Sequence, residues 1–374
     1  MAKDKPKISL LLSGGGARAA YQVGVLKAIS EWYPRVHHSP FSIYCGTSAG
    51  AINATSIACY ASCFRLGVKK LEWIWGRLHS RRIFKSSPLG MTGYLAHQWY
   101  ARMQAQHHER PPFGLLNNRP LRELLNQVHN YDRLEKQIMA GNLEGLSITA
   151  SSYKSGLSVS FFQGQSHLSE WDRAKSKGRR AMLNTDHLMA SAAIPLVFPA
   201  SRIGRHYYGD GSIHQLAPLR PSLKMGADKI LIINLINQKI EPSEHIQTPG
   251  LATLGGHLMD TIFSDTLTAD LEHLDRTNRL LQTLPTTTRE NLDMKVVDHI
   301  HLFPSQSFEP LAQDNYCYLP PMTRALMRMI GISPQDDAAI TSYILFEPGY
   351  IKSLIQLGYE DALRKEVKLR NFLK

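Results

Sequence analysis

Residues 41–54 read FSIYCGTSAGAINA, a short apolar run that passes through a turn of small residues into an apolar helical pattern. We predict a strand over Phe41–Cys45, then a tight turn, then a helix that begins after Gly46. The turn has the form Gly-x-Ser-x-Gly, in which Gly46 and Gly50 flank Ser48. Small flanking residues let such a strand-to-helix turn hold its serine in a strained conformation. Ser48 is therefore the candidate nucleophile, and the helix N-terminus behind it would stabilise developing negative charge.

A second glycine-rich turn lies upstream of the first. Ile8–Leu12 predicts a strand, and Ser13-Gly14-Gly15-Gly16-Ala17-Arg18 leads from it into an amphipathic helix over about 19–32. Strands that alternate with helices predict an α/β fold with a mainly parallel sheet, whose ligand site lies at the carboxyl ends of the strands. Both turns belong to that edge, so the N–H groups of Gly14, Gly15 and Gly16 are candidates to bind an anion beside Ser48.

A serine hydroxyl attacks poorly unless a neighbouring base takes its proton. The segment Gly209-Asp210-Gly211-Ser212 places an acid between glycines, which indicates a carboxylate on a tight turn. An aspartate in this setting is most often only a turn former. Asp210 becomes the candidate base because it accompanies the two glycine-rich turns.

The region of about 60–120 predicts a helical insertion, or cap, over the sheet. Its apolar side chains recur at steps of four and three, which places them on one face of a helix. The stripe belongs either to an ordinary helix packed on the core or to a lid that faces a membrane. Its members are Phe64, Val68, Leu71, Trp75 and Leu78.

The rest of the chain extends the α/β pattern. Residues 146–151 and 157–162 flank Lys154-Ser155-Gly156 and predict a hairpin. We find no internal repeat and no low-complexity linker, so we favour one domain over residues 1–374 with a motif core at about 8–235. A helical C-terminal extension is expected over about 250–374. The remaining predicted elements are strands over 229–235 and 299–303 and helices over 251–284 and 348–374.

Composition restricts the class of protein. The 374 residues are 43% apolar and 20% charged, which is typical of a folded globular chain. No run of 18 apolar residues is present, so we predict a cytosolic protein, with peripheral membrane contact as an open option. The formal charge of +12 favours anionic partners such as phospholipid head groups or nucleic acid, or else only maintains solubility. Neither a CxxC pair nor an HExxH motif occurs, so no metal site is expected.

Taken together, the motifs resemble those of the patatin-like phospholipases, in their bacterial form. They occur in the order typical of that family and extend over roughly residues 8–235. Four ordered motifs are far more specific than any one of them. They are Gly14-Gly15-Gly16-Ala17-Arg18 with Gly24-Val25-Leu26, Gly46-Thr47-Ser48-Ala49-Gly50, Ala190-Ser191-Ala192-Ala193-Ile194-Pro195 followed by Phe198-Pro199, and Asp210-Gly211-Ser212.

This resemblance implies a three-layer α/β/α fold and a serine hydrolase that cleaves fatty-acyl esters of phospholipids or neutral glycerolipids. Ser48 and Asp210 would form a Ser–Asp dyad without histidine. An oxyanion hole would be supplied by the N–H groups of Gly14, Gly15 and Gly16, and Arg18 would shape or charge that loop. The implied partner is an acyl lipid, and no metal or organic cofactor is implied.

Two positions depart from the family pattern. Ala19 stands where the glycine-rich loop more often ends in glycine, a small change that helix packing should tolerate. Ser212 ends an acid motif that is usually DGG or DGA, and its hydroxyl could bond the turn or Asp210 itself. Ser212 is therefore expected to influence the pKa and the orientation of the base.

Two other classes of protein compete with a hydrolase. Gly14-x-Gly16-x-x-Ala19 after a strand also fits a dinucleotide-binding fingerprint, but the second strand ends in Cys45-Gly46-Thr47-Ser48 instead of the acid that holds a ribose. The other competitor keeps the hydrolase fold and binds a membrane or nucleic acid through its basic surface without catalysis. Intact Ser48 and Asp210 argue against it, and we expect no nucleic-acid partner.

Overall fold

A ten-stranded mixed sheet forms the centre of the molecule. The computed structural model describes residues 5–35, 37–85, 87, 92–94, 96, 98, 100, 112–237, 251–291, 294–329 and 338–374. The strands are β1 Ile8–Leu12, β2 Ile43–Thr47, β3 Gly145–Ser152, β4 Leu157–Gly164, β5 Trp171–Arg173, β6 Ser176–Arg180, β7 Ser201–Ile203, β8 His206–Asp210, β9 Lys229–Ile233 and β10 Asp298–Leu302.

Strand pairing divides the sheet into two parts. The path runs β10-β9-β1-β2-β3-β4-β6-β5, and all neighbours from β10 to β3 are parallel. Beyond β3, antiparallel and parallel pairs mix, beginning with the predicted hairpin of β3 and β4. A further hairpin of β7 and β8 lies off this path and pairs with β3 through β8. The sheet is thus parallel where the two glycine-rich turns follow β1 and β2, and mixed elsewhere.

Helices cover both faces of the sheet. They are α1 Ala20–Glu31, α2 Ala49–Ala58, α3 Phe64–Trp75, α4 Ser80–Ile83, α5 Arg119–Val128, α6 Tyr131–Met139, α7 Thr185–Ser191, α8 Arg220–Lys224, α9 Leu251–Thr283, α10 Thr286–Asn291, α11 Glu309–Asn315, α12 Pro321–Met329, α13 Ala338–Ile344, α14 Pro348–Arg364 and α15 Glu366–Phe372. Short 3₁₀ segments lie at Gly16–Ala19, Ala61–Cys63, Gly211–Ile213 and Tyr316–Tyr318.

Alternation along the strands produces the three layers. In β1, Leu10 and Leu12 belong to the core that includes α1, α2 and α14, whereas Leu11 belongs to a second core on the opposite face. That second core includes Leu267 and Leu271 of α9. Because successive side chains of a strand point to opposite faces, one fully buried strand contacts both helical layers. The predicted α/β/α arrangement is confirmed.

The predicted apolar stripe at 64–78 is buried throughout, with each member at most 5% exposed. It packs α3 and the turn that follows against the core. Much of the remaining insertion, including all of residues 101–111, lies outside the described residues. Within the described residues, no helix is both long and apolar enough to cross a membrane.

Several element boundaries differ from the sequence prediction. Strand β2 begins at Ile43 and runs to Thr47, so its end reaches the residue before Ser48. The predicted helix over 348–374 is divided at Lys365 into α14 and α15. The strands β5 to β8 were not predicted, and the segment before Asp210 is the strand β8 where a turn was expected.

Candidate active site

The ends of two strands meet on one edge of β3. Strand β4 pairs with β3 along its full length, so the other partners of β3 share the opposite edge. On that edge, β2 runs parallel to β3 as far as Thr47 opposite Thr149, and β8 runs antiparallel with Asp210 opposite Ala150. The carboxyl ends of β2 and β8 therefore face each other at adjacent positions of β3. This pairing brings Ser48 and Asp210 together, although 162 positions separate them in the sequence.

Ser48 occupies the strained turn that its motif predicts. Its backbone has φ 54° and ψ −129°, outside the regions that non-glycine residues usually adopt. The residue is the N-cap of α2, and its N–H donates to Ser191 Oγ at 2.8 Å. Ser191 Oγ in turn donates to the Thr149 carbonyl at 2.6 Å. A strained backbone that is hydrogen-bonded into place is typical of functional sites.

Close packing at Gly50 holds the start of α2 against the end of β1. A Cβ on Gly50 would lie 2.4 Å from the Leu12 carbonyl oxygen and 2.5 Å from that of Ser13. Both neighbours are backbone atoms, so they cannot rotate away. The second glycine of the motif thus lets the serine turn and the glycine-rich turn approach each other.

Asp210 is completely buried at the end of β8. Its N–H donates to the Ala193 carbonyl at 2.9 Å, and its Oδ1 accepts from the Ser212 N–H at 3.0 Å. Within the part of the chain that the structure describes, the second oxygen, Oδ2, is buried and accepts no hydrogen bond. Burial raises the pKa of Asp210 to about 6, while the nearby Ser48 hydroxyl and the Ser212 groups oppose that increase. An unpartnered buried carboxylate oxygen is costly and is a marker of functional sites.

The glycine-rich turn borders the same site. Gly16 and Ser48 line one cavity, while Gly14 lines a smaller adjacent void together with Thr47 and Ser212. Gly16 has φ 55°, a left-handed conformation, and a Cβ there would lie 2.2 Å from the Tyr343 carbonyl oxygen. The turn is therefore enclosed by the serine turn on one side and by α13 on the other.

Arg18 connects the glycine-rich turn to the C-terminal helices. Its buried guanidinium donates to Ser342 Oγ at 2.7 Å and to the Tyr343 hydroxyl at 3.0 Å. It also pairs with Glu309 at 3.3 Å and stacks on the Tyr343 ring at 3.9 Å. This arrangement fixes the shape of the loop, and any effect of its charge on an oxyanion stays a prediction.

An apolar cavity of about 60 Å³ opens beside Ser48. The inner faces of α2, α3 and α5 supply most of its wall, and the segment after α7 closes one side. The polar side chains of its lining are Ser48, Ser56 and His129. Its apolar lining includes Ile52, Leu71, Ile74, Trp75, Leu78, Leu121, Leu125, Ile194, Phe198 and Phe346. Such a surface suits a hydrocarbon chain.

A buried polar network that the sequence did not suggest stiffens this wall. The Trp75 indole N–H donates to Asn53 Oδ1 at 2.8 Å, and Asn53 Nδ2 donates to Gln22 Oε1 at 2.9 Å. Gln22 in turn donates to the Ser13 carbonyl at 2.9 Å. Only spatial proximity identifies Asn53 and Gln22 as members of this network, because neither was singled out by a motif.

Among the described residues, no cluster of three or more His, Cys, Asp or Glu side chains could hold a metal ion.

The sequence matches a known protein family over the region that builds this site. The family model described as patatin-like phospholipase matches residues 10–223, which is more than half of the chain. The chain belongs to the patatin-like phospholipase family. The matched range contains both glycine-rich turns, the Ser191 segment and Asp210, so it includes every residue predicted for the site. Family membership also argues against the dinucleotide-binding alternative.

The individual proteins that this chain resembles have low sequence identity to it. A cGAMP-activated phospholipase of Pseudomonas aeruginosa (strain BWHPSA011 / Pa011) is 28% identical over 212 residues, covering 56% of this chain and 53% of that protein. This patatin-like chain thus spans about half the length of that curated relative. VipD of Legionella pneumophila has a TM-score of 0.40 at 12% identity, with 96% of this chain and 66% of VipD covered. Human GIVD cytosolic phospholipase A2 has a TM-score of 0.45 at 10% identity, with coverage of 100% and 61%.

Proposed function

We propose that this chain hydrolyses fatty-acyl esters of lipids through a Ser48–Asp210 dyad. The observation that carries the proposal is the meeting of β2 and β8 on β3, which leaves the unpartnered Oδ2 of Asp210 beside the serine turn. Membership of the patatin-like phospholipases and the apolar cavity at Ser48 support the same conclusion.

The reaction would proceed in two steps. Asp210 Oδ2 accepts the hydroxyl proton of Ser48 as Oγ attacks the ester carbonyl, and the N–H groups of Gly14, Gly15 and Gly16 stabilise the resulting oxyanion. The proton then passes to the departing alcohol, which leaves an acyl-serine. Water attacks that acyl-serine with Asp210 again as base, the fatty acid is released, and the proton returns from Asp210 to Ser48 Oγ. The apolar cavity would hold the acyl chain throughout.

Substitution of each dyad member tests the proposal. We expect Ser48→Ala and Asp210→Asn each to lower kcat for short acyl esters by at least about 10⁴-fold, because the two groups act as a unit. Labelling by a fluorophosphonate probe should require Ser48. Circular dichroism and thermal unfolding would confirm that the variants fold. Normal turnover by either folded variant would overturn the assignment.

We also propose that the outer face of α3 contacts an anionic membrane surface. Trp73 is 58% exposed and Leu66 is 51% exposed on this face. Lys69 and Arg77 lie beside them, while the neighbouring acid, Glu72, is neutralised by Lys27 at 2.9 Å. Basic residues with Trp and Leu at one surface are typical of interfacial helices.

Vesicle binding tests this contact. Wild type should sediment with vesicles that contain phosphatidylglycerol, and Trp73→Ala with Lys69→Gln should weaken that binding by roughly 10-fold or more. Tyr318→Ala, which removes an equally exposed aromatic side chain elsewhere, provides the matched control. Identical binding by all three proteins would contradict the proposal. The predicted cytosolic location stays a prediction.

A further inference from the structure

An open aromatic cleft lies next to the Ser48 cavity and is separate from it. Its volume is about 330 Å³, within the range of about 300–1,000 Å³ typical of ligand sites. Its lining is largely apolar and includes Pro112, Phe113, Tyr153, Pro195, Leu196, Phe198, Ala200 and Tyr207.

Two contacts join this cleft to the reaction centre. Phe198 lines both the cleft and the Ser48 cavity, so the two spaces share one wall residue. On the other side, the Tyr153 hydroxyl lies against Gly209, where a Cβ would approach it to 2.5 Å. Burial raises the pKa of Tyr153, and the nearby charge of Asp210 raises it further. The cleft therefore begins beside both the acyl cavity and the proposed base.

Leu196 at the rim of the cleft is strained and exposed. Its φ is 65°, a left-handed conformation that a leucine adopts only at a cost, and 67% of its surface is exposed. Two backbone bonds hold the segment in place, from the Leu115 N–H to the Leu196 carbonyl and from the Leu116 N–H to the Val197 carbonyl, both at 2.8 Å. Strain that the surrounding structure maintains is typical of ligand clamps.

We infer that the aromatic cleft binds the second hydrocarbon chain of a diacyl lipid while the first ester lies at Ser48. This inference rests on the proposed function, because it assigns the second chain relative to the acyl group in the Ser48 cavity. The two apolar sites share Phe198 as a wall, so one lipid that carries two chains can reach both. The aromatic lining and the exposed Leu196 supply apolar contact for a chain, and the Tyr153 hydroxyl, which lies against Gly209, supplies a polar group for the lipid's ester oxygens.

Matched pairs of lipids test the inference with two readouts. The first readout is kcat/KM for diheptanoylphosphatidylcholine and for its monoheptanoyl lyso form, both as monomers. The second is binding of the corresponding diether and monoether lipids, which cannot be hydrolysed. Phe113→Ala and Leu196→Gly should each lower diacyl hydrolysis and diether binding roughly 10-fold, and should change the monoacyl and monoether values by less than about 2-fold.

Leu196→Gly also separates a binding role from a structural one. Glycine relieves the left-handed strain, so the variant should unfold at a higher temperature than wild type while it loses diacyl preference. Lys175→Gly is the matched control, since Lys175 has φ 61° outside the cleft. It should gain stability and keep the preference for two chains.

The outcomes distinguish the inference from the proposed function. If wild type cleaves no ester but binds the diether lipid more tightly than the monoether lipid, and the cleft variants lose this preference, the cleft assignment stands and the hydrolase assignment is overturned. Equal losses on one-chain and two-chain lipids, or no loss on either, would overturn the cleft even if Ser48-dependent hydrolysis is found.

Discussion

As the proposed base, Asp210 must be ionised to accept a proton, yet its buried position disfavours the ionised form. The carboxyl group is completely buried, which raises its pKa to about 6, well above its ordinary value of 3.8. A base works best when its pKa lies near the operating pH, because it is then deprotonated yet still a competent proton acceptor. This pKa is the one expected of the base that we propose for Ser48.

The pH dependence of hydrolysis follows from this pKa. Only the carboxylate form can accept the Ser48 proton, so kcat/KM should rise with pH and level off above about 6. Below that point, log kcat/KM should fall by about one for each pH unit. A pH profile with a soluble short-chain ester measures this limb. A plateau that persists down to pH 4 would exclude Asp210 as the base.

The same pKa predicts a stability change on Asp210→Asn. The folded-state pKa of about 6 exceeds the ordinary 3.8, so between these values the folded protein holds a proton that the unfolded chain releases. The free energy of unfolding of wild type therefore decreases as pH rises through this window. Removal of the titrating group should stabilise the protein at pH 7 by up to about 3 kcal/mol. Urea unfolding of both proteins at pH 4 and 7 tests this, and an equal difference at both pH values would contradict it.

Residue identities at this site were accessible from sequence because each lies in a short motif. Ser48 and Asp210 were predicted from their glycine neighbours, and the structure brings them together. Ser191 lies in a quoted motif, yet its bond to the Ser48 N–H could not be predicted because it depends on how α7 lies against β3. The sequence likewise could not predict that Asp210 Oδ2 accepts no hydrogen bond from the described residues, because this depends on all the groups around it.

At the scale of elements, the junction between β1 and α2 depends on Gly50. A methyl group there would meet two backbone carbonyl oxygens at 2.4 and 2.5 Å, and neither can move without displacing a turn. We expect Gly50→Ala to destabilise the fold by about 1–3 kcal/mol and to lower kcat further by shifting Ser48. Thermal unfolding and ester turnover measure both effects.

Gly76→Ala is the matched control for this prediction. Gly76 follows α3 with φ −63°, and among the described residues a Cβ added there would meet only the Glu72 carbonyl oxygen, at 3.2 Å. The free energy of unfolding of Gly76→Ala should differ from that of wild type by less than about 0.5 kcal/mol. Equal effects of the two substitutions would show that the Gly50 contact does not constrain the site.

Elements were predictable where their apolar pattern was strong. The parallel strands β1 and β9 read ISLLL and KILII, which are largely apolar, and the stripe of α3 repeats at helical spacing. Strands β6 and β8 read SKGRR and HYYGD, which carry no apolar alternation. Pairing with neighbouring strands, and not local preference, determines their conformation.

At the scale of the whole molecule, the helical C-terminal extension completes the site. The family match ends at residue 223, yet the Tyr343 carbonyl lies against Gly16 and Phe346 lines the Ser48 cavity. Buried Arg18 is one polar link between the two regions. The motif core alone gave no indication of this contact, since its partners lie more than 290 positions away.

Substitution of Arg18 tests the importance of this link. Arg18→Met should lower the free energy of unfolding by about 2–3 kcal/mol, because Ser342 and Glu309 lose their common donor. Limited proteolysis should cut the segment between residues 309 and 347 faster than in wild type, and ester turnover should fall with it. Arg370→Gln, which breaks a pair with Glu366 between side chains that are 48% and 37% exposed, should leave cleavage there unchanged. Unaltered proteolysis of Arg18→Met would contradict the link.

The head-to-head meeting of β2 and β8 has a consequence for synthesis of the chain. After Ser48 is incorporated, the ribosome must add a further 162 residues to reach Asp210, and many more before Tyr343 can pack against Gly16. Proteins emerge at about 5–20 residues per second and their early segments begin to fold first. A product that stops before Asp210 would therefore carry the proposed nucleophile without its proposed base, and we expect such a product to have no esterase activity.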